Sequence, residues 1–299
     1  MSSAGAWRRV QDWLVSHDLI AVWLAGVALY LPCAGSYGLW DPWESHYGEV
    51  ARQMAMRHDY ISLFWPGSPR ETVVFQTKPV LAFWIMSLAL RLFGLASPHG
   101  AAGELALGTR AEWALRTPFC LLATLGLVAI YGLGKQLAGR RAGLCAAAFT
   151  ATMPMYALIA RQAMTDMAYL PFVVLAVALG ACAHAAPFTT AVVGRRFRAL
   201  AITLFVLAVV PQLLVDSIDL HVHLPWRGRV VAMYGAVVMF PYWVAAALVV
   251  AALARTRRVH LVMEILAATA AGLGVLAKGL AGGGPPCRHP HPLPRPRVA

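Results

Sequence analysis

Three carboxylates are the side chains of this chain whose type and spacing could do chemistry. Asp41 and Glu44 lie three residues apart in one polar stretch, and Asp166 lies in another, five residues after Arg161. A positioned carboxylate can act as a general base, and the three together could hold a divalent cation, because hard cations prefer oxygen ligands. A structural alternative remains open, because Asp41, Pro42 and Glu44 match the N-cap, N1 and N3 positions of a helix start. Arg161 could likewise simply pair with Asp166.

Basic side chains at the borders of apolar segments form the second set. Lys78 begins a short apolar segment, Arg116 opens a longer one, and Lys278 ends the last one. Basic residues at the ends of membrane helices commonly extend to lipid headgroups without a specific ligand. Binding of one particular anion is the alternative for Lys78 and Arg116.

Membrane helices are the elements that must position these residues. Of 299 residues, 60% are hydrophobic and 13% are charged, whereas soluble domains carry about 45–50% apolar and about 25% charged residues. A single water-soluble core stops growing at this chain length, so lipid is the solvent that remains. The net charge of +12 does not indicate nucleic-acid binding, because the arginines lie in short clusters between apolar runs, as topology signals do.

The basic clusters also fix the number of spans. Eight apolar segments approach the roughly 20 residues that a spanning helix needs. Short basic segments are expected to be cytoplasmic, and here they are residues 8 and 9 and the loops 135–141, 194–198 and 255–258. All four can lie on the same side only if the segment 79–95 does not cross the membrane. That segment is short and carries Trp84 and Arg91, which is typical of a helix in the interface. Seven spans are therefore predicted, with an outer loop over 37–114: 19–36, 115–134, 142–160, 167–186, 199–215, 230–254 and 259–280.

Five short motifs follow one another along the chain. They read DPWESHYGEVARQM at 41–54, QTKPVLAFW at 76–84, LRTP at 115–118, ARQAMTDM at 160–167 and LAKG at 276–279. Together they resemble bacterial membrane glycosyltransferases related to the protein O-mannosyltransferases of glycosyltransferase family 39 and to the lipid A aminoarabinose transferases. The resemblance covers about residues 19–280 and implies an all-α, GT-C-like membrane module with about seven spans and two juxtamembrane helices in the first outer loop. The chain departs from the family pattern at Trp43, His46 and Leu280.

The resemblance implies transfer of a hexosyl or pentosyl unit from a polyprenyl-phosphate-linked donor to an acceptor hydroxyl of a lipid, glycan or protein. Such a site would face the periplasm or exterior of a bacterial inner membrane. Asp41 is the expected base, with Glu44 or Asp166 as its acidic companion. The expected substrate and phosphate ligands are Lys78, Arg116, Arg161, Lys278 and Tyr47. Membrane lipid is the other expected partner. Binding of a divalent cation is an alternative that the sequence leaves open.

The last residues differ in character from the rest. Residues 1–281 form the predicted membrane module, and 282–299 form an irregular tail rich in Pro, Arg and His, with six prolines between 285 and 296 that exclude a helix. The tail is expected to mark a truncated or frameshifted member of the family, and a genuine proline-rich tail is the alternative. An inactive fragment of such an enzyme is therefore one alternative function. A transporter or lipid flippase is another, although no internal repeat of the transporter kind is visible.

Overall fold

The structure is a computed structural model that describes residues 17–65, 78–96, 109–184, 192–226 and 229–279. The proline-rich tail predicted over 282–299 lies outside these residues. In the described part the elements are helices and one hairpin of two strands. Their bounds in chain order are α1 Asp18–Tyr30, α2 Trp43–Arg57, α3 Leu81–Leu92, α4 Thr109–Thr152, α5 Pro154–Ala160, α6 Thr165–Ala183, α7 Arg195–Asp219, β1 His221–Trp226, β2 Arg229–Tyr234, α8 Gly235–Arg255 and α9 Val259–Lys278.

Five of the described helices are long and apolar enough to cross a membrane: α4, α6, α7, α8 and α9. The all-α membrane fold class is therefore confirmed. Helix α3 has only 12 residues, which is about 18 Å at 1.5 Å per residue and shorter than the roughly 30 Å of a hydrocarbon core. Helix α1 has 13 residues and is nearly as short, so length does not distinguish α3 from the first predicted span.

Helix α4 consists of two arms that fold back on each other. Ala138 and Gly139 leave the helical conformation, and Gly139 has φ +86°, a value that L side chains rarely adopt. The arms meet at two glycines, since a Cβ on Gly134 would lie 2.9 Å from the Cα of Gly143. The break falls in the basic loop 135–141, so the predicted spans 115–134 and 142–160 correspond to the two arms, the second one continuing into α5.

Two predicted spans differ from the structure in extent. The span predicted over 19–36 is helical only to Tyr30, because Pro32 cannot continue a helix and turns follow from Leu31. The span predicted over 230–254 starts as strand β2, which pairs antiparallel with β1, and becomes helical only at Gly235. A Cβ on Gly235 would lie 2.2 Å from the Asp216 carbonyl oxygen, so this close return of the chain requires glycine.

Two apolar clusters hold the helices together. The larger cluster joins α1 to α6 and includes Tyr30, Phe83 and Phe119, and the smaller joins α7, α8 and the first half of α9 around Phe205 and Leu253. Helix α9 lies along α6, where the Cβ position of its Gly274 touches Tyr169 and Val173. It therefore connects the two clusters.

The two ends of the helical bundle carry different residues. At one end, here named the basic end, Asp18 accepts hydrogen bonds from Tyr131 at 2.5 Å, Lys135 at 3.3 Å and Arg140 at 3.0 Å. The loops around 194 and 257 meet at the same end, where the Val193 amide donates to the Arg257 carbonyl at 2.8 Å. The opposite end, here named the carboxylate end, carries the turns that precede α2 and α6.

Candidate functional site

A buried ion pair forms the centre of the carboxylate end. Glu44 on α2 and Arg116 on α4 are both fully buried, and the guanidinium contacts both carboxylate oxygens, with Nη2 to Oε2 at 2.6 Å and Nε to Oε1 at 2.9 Å. Paired contacts of this kind between arginine and carboxylate are short and geometrically specific. The pair fastens α2 to the first long span.

The remaining donors of Arg116 hold the turn that leads into α2. Nη1 donates to the carbonyls of Ala34 at 2.8 Å and Tyr37 at 2.7 Å, and Nη2 donates to that of Gly38 at 2.7 Å. The guanidinium carbon also lies 3.9 Å from the centre of the Tyr37 ring. All five N–H groups of Arg116 are thus used within the protein.

Glu44 is bonded to the two segments that precede the other carboxylates. Its Oε2 accepts the Trp40 amide at 2.8 Å, and its Oε1 accepts the Ala163 amide at 2.8 Å. Each oxygen therefore has two donors. Glu44 does take part in the helix start, but by reaching back to Trp40.

Asp41 is exposed and does not cap the helix. Helix α2 begins at Trp43 with Pro42 as its N-cap, and no side chain bonds its first amides. The Asp41 carboxylate instead accepts the Ser45 hydroxyl at 2.7 Å. The capping interpretation of Asp41 is therefore wrong, because Glu44 reaches back to the chain before the helix while Asp41 bonds along its first turn.

Asp166 pairs with Lys278 and not with Arg161. Asp166 lies in the first turn of α6, and Lys278 is the last residue of α9; the ammonium contacts the carboxylate directly and lies 5.9 Å from the centre of the Tyr169 ring. Arg161 points to the end of α1, where Nη2 donates to the Leu29 carbonyl at 2.5 Å. The Arg161–Asp166 pair, which the sequence left open as an alternative, is therefore not formed, since α9 brings a closer cation.

Tyr47 is buried on α2 between the two parts of the site. Its ring meets Phe83 edge-on at 5.7 Å. Burial raises the pKa of the Tyr47 phenol, and the negative charge of Asp166 raises it further.

A long apolar groove with a volume of about 1120 Å³ begins at Lys278, the partner of Asp166. Residues of α7 and α9, with one from α8, line it, and Lys78 and Lys278 lie at its end. The end of α9 lies against the start of the α3 segment, since a Cβ on Gly279 would be 3.5 Å from Pro79 Cγ. The fold thus brings two cations that are 200 residues apart in the sequence to the end of one apolar groove.

The groove lining is the part of the site that sequence reasoning missed. Two small residues of the lining, Gly272 and Ala268, lie one helical turn apart on α9. Besides the two lysines, the polar side chains of the lining are Gln212 and Thr269. A Cβ on Gly272 would meet no atom within 4 Å. Small residues spaced by four on a predicted span, together with an isolated polar side chain, were the available signal.

The eight residues predicted from the sequence occupy three places. Glu44 and Arg116 form the buried pair, Asp166, Lys278 and Lys78 lie at the end of the groove with Tyr47 nearby, and Asp41 and Arg161 lie to the sides, each with its own partner. Among the described residues, no three His, Cys, Asp or Glu side chains converge as metal ligands would.

A protein-family model matches the middle of the chain. Residues 77–209 match the family model described as dolichyl-phosphate-mannose-protein mannosyltransferase. No curated protein matches the chain.

Two solved structures show an overall likeness. The crystal structure of ArnT from Cupriavidus metallidurans in the apo state is 17% identical with a TM-score of 0.43, over 92% of this chain and 43% of that chain. The structure of the same protein bound to undecaprenyl phosphate is 18% identical with a TM-score of 0.41, over 89% of this chain and 42% of that chain. The chain thus spans less than half the length of the solved protein. Residues 77–209, somewhat less than half of the chain, are thus similar to the membrane glycosyltransferases that the protein mannosyltransferase family model describes.

Proposed function

We propose that the protein transfers a glycosyl unit from a polyprenyl-phosphate-linked donor to an acceptor hydroxyl. The observation that carries the proposal is the apolar groove with Lys78 and Lys278 at its end. A ligand that fits this arrangement has a long apolar chain and an anionic headgroup. The family match of residues 77–209 gives the reaction class.

The dimensions of the groove suit an extended lipid chain. Its lining on α9 runs from Ile265 to Lys278, which is about 20 Å at 1.5 Å per residue. Apolar side chains along this length can pack against a hydrocarbon chain without leaving a buried polar group unsatisfied. The phosphate would then lie between the two ammonium groups, which form charge-assisted hydrogen bonds that are stronger than neutral ones.

The chemistry follows from what lies around the phosphate. The acceptor oxygen attacks the anomeric carbon, the bond from that carbon to the phosphate oxygen breaks, and polyprenyl phosphate leaves with its charge stabilised by Lys78 and Lys278. The proton of the acceptor passes to a carboxylate base. Asp41 is exposed and serves as this base, with Asp166 as its acidic companion, since both oxygens of Glu44 are already bonded.

The side of the membrane follows from the charges. Short basic loops stay in the cytoplasm, and here they form the basic end of the bundle. The carboxylate end then faces the periplasm or exterior of a bacterial inner membrane, where sugars linked to polyprenyl phosphates are presented.

Titration with a short-chain polyprenyl phosphate in detergent tests the donor site. Lys78→Ala should weaken binding by about 1.5–3 kcal/mol, the range for hydrogen bonds to charged groups, which is roughly a 10- to 150-fold rise in Kd. Lys78→Arg should retain part of the affinity with altered geometry. Lys135→Ala is the matched control, because Lys135 lies at the basic end beside Asp18.

Equal affinities for the parent and both Lys78 variants would remove Lys78 from the donor site and leave it a residue that extends to lipid headgroups. A parent that does not bind the carrier at all would favour an inactive fragment.

A further inference from the structure

The two candidate catalytic carboxylates stand on elements that are tied to a single ion pair. Asp41 follows Trp40 by one residue, and Asp166 follows Ala163 by three. The amides of Trp40 and Ala163 both donate to the carboxylate of Glu44, each at 2.8 Å. One side chain thus holds two backbone segments that are more than 120 residues apart in the sequence.

Arg116 binds both Glu44 and the turn that precedes α2. Through the carbonyls of Ala34, Tyr37 and Gly38 it holds the chain that enters α2, while it holds Glu44 with its remaining donors. The turn lies tightly against α4, since a Cβ on Gly35 would come within 2.1 Å of the Trp113 ring. Turn, helix start and ion pair are therefore bonded directly to one another.

Hydrogen-bond capacity excludes direct contact of this pair with a substrate. A guanidinium has five N–H donors and a carboxylate has about four acceptor positions, and here all five donors and four acceptor positions are used. A phosphate or a metal ion at either group would have to displace bonds that are buried and charge-assisted. Breaking a buried pair leaves an uncompensated charge and strongly destabilises the folded protein.

We propose that Glu44 and Arg116 are positioning residues, which hold Asp41 and Asp166 in a fixed relation and contact neither donor nor acceptor. The proposal rests on the proposed function for the meaning of those two carboxylates. The coupling of the two segments through Glu44 is independent of it.

Amide hydrogen exchange of the detergent-solubilised full chain tests the coupling. In Glu44→Gln one carboxylate oxygen becomes an NH₂ group that faces an Arg116 N–H and a backbone N–H. This repulsion between donors displaces the side chain, so the amides of Trp40 and Ala163 should both exchange at least about tenfold faster. Glu49→Gln is the matched control on the same helix, because Glu49 bonds only Arg52 and Gln53 of α2. The slow amides of α8 report global stability and should stay unchanged in both variants.

A change at Trp40 with Ala163 still protected would overturn the coupling. Equal acceleration of all amides, α8 included, would show a general loss of stability and would overturn the positioning role as well.

Carrier binding and turnover separate positioning from phosphate contact. Arg116→Lys and Glu44→Gln should bind a short-chain polyprenyl phosphate within about twofold of the parent, whereas Lys78→Ala binds at least about tenfold more weakly. With a polyprenyl-phosphate-linked sugar as donor, kcat of Glu44→Gln should fall by at least about tenfold, because misplaced catalytic groups cost rate. Loss of carrier affinity in Arg116→Lys as large as in Lys78→Ala would make Arg116 a phosphate ligand. A parent that fails to bind the carrier would contradict the proposed function and leave the exchange result standing.

Discussion

Lys278 stands between two kinds of anion. In the structure its ammonium is bound to Asp166, while the proposed function needs it for the phosphate of the donor. Both partners of the ion pair are partly exposed, with 32% of the Lys278 side chain and 42% of the Asp166 side chain accessible. The pair is therefore weak enough to exchange, and phosphate binding would release Asp166 for the reaction.

Asp166→Asn should consequently tighten carrier binding. Partly exposed ion pairs contribute about 0.2–1 kcal/mol, so freeing Lys278 should lower the Kd for a short-chain polyprenyl phosphate by up to about fivefold. Titration of parent and variant measures this directly. The direction is unusual for a site residue, since most substitutions in a binding site weaken binding.

A double-mutant cycle identifies the cause. If Asp166 competes for Lys278, the gain from Asp166→Asn should vanish in a Lys278→Met background. A gain that persists there would come from simple repulsion between carboxylate and phosphate, and equal affinities in the original background would contradict the exchange.

The sequence indicated candidate residues for the site, whereas it did not indicate their partners in the fold. The motif order indicated Asp41, Glu44 and Asp166 as a group, but the N-cap pattern gave the capping role to Asp41. The partners of Glu44 are Arg116 and Ala163, which lie 72 and 119 residues away. A local pattern contains no information on contacts at that separation.

At the scale of elements, charge predicted more than hydropathy did. The loop 135–141 indicated a turn between two spans, and the structure breaks α4 there even though helical residues continue on both sides. Hydropathy predicted a single span over 230–254, because the apolar residues of a strand and of a membrane helix look alike in a hydropathy profile. The strand β2 lies in the first residues of that run.

Filling the groove tests whether it holds the lipid chain. Gly272 lines the groove, and a Cβ there would meet nothing within 4 Å. Gly272→Phe should therefore fold normally but occupy the space of the chain, and it should weaken binding of a polyprenyl phosphate by at least about tenfold, in the range of a fully buried apolar side chain. The measurement is the same detergent titration.

Gly180→Phe is the control for this substitution. Gly180 lies in α6, and a Cβ there also meets nothing within 4 Å, so both variants gain the same aromatic ring in open space on a spanning helix. Carrier affinity should be unchanged in Gly180→Phe. Unchanged affinity in Gly272→Phe as well would place the lipid chain outside the groove.

For the whole molecule, the two ends of the bundle make a prediction about topology. Single cysteines in a cysteine-free background report which side is accessible to an impermeant thiol reagent. Ser62→Cys, which is exposed, and a cysteine at position 100 in the same outer loop should both react from outside. Leu137→Cys, in the turn of α4 and 74% exposed, should react only after the membrane is opened.

The parity argument depends on the pair of outer positions. If position 100 reacted only from the cytoplasmic side while position 62 reacted from outside, α3 would cross the membrane, and the span count would rise to eight.

The ion pairs of Asp18 indicate that the basic loop 135–141 acts both during membrane insertion and in the folded protein. We expect the positive charges of 135–141 to retain the loop in the cytoplasm during insertion, before α1 and α4 have met. Once the helices assemble, Lys135 and Arg140 bind Asp18 at the start of α1. The same positive charges that orient the chain during insertion then stabilise the contact between α1 and α4. Replacing Arg140 therefore affects biogenesis and stability through separate events, and only the second of them needs Asp18.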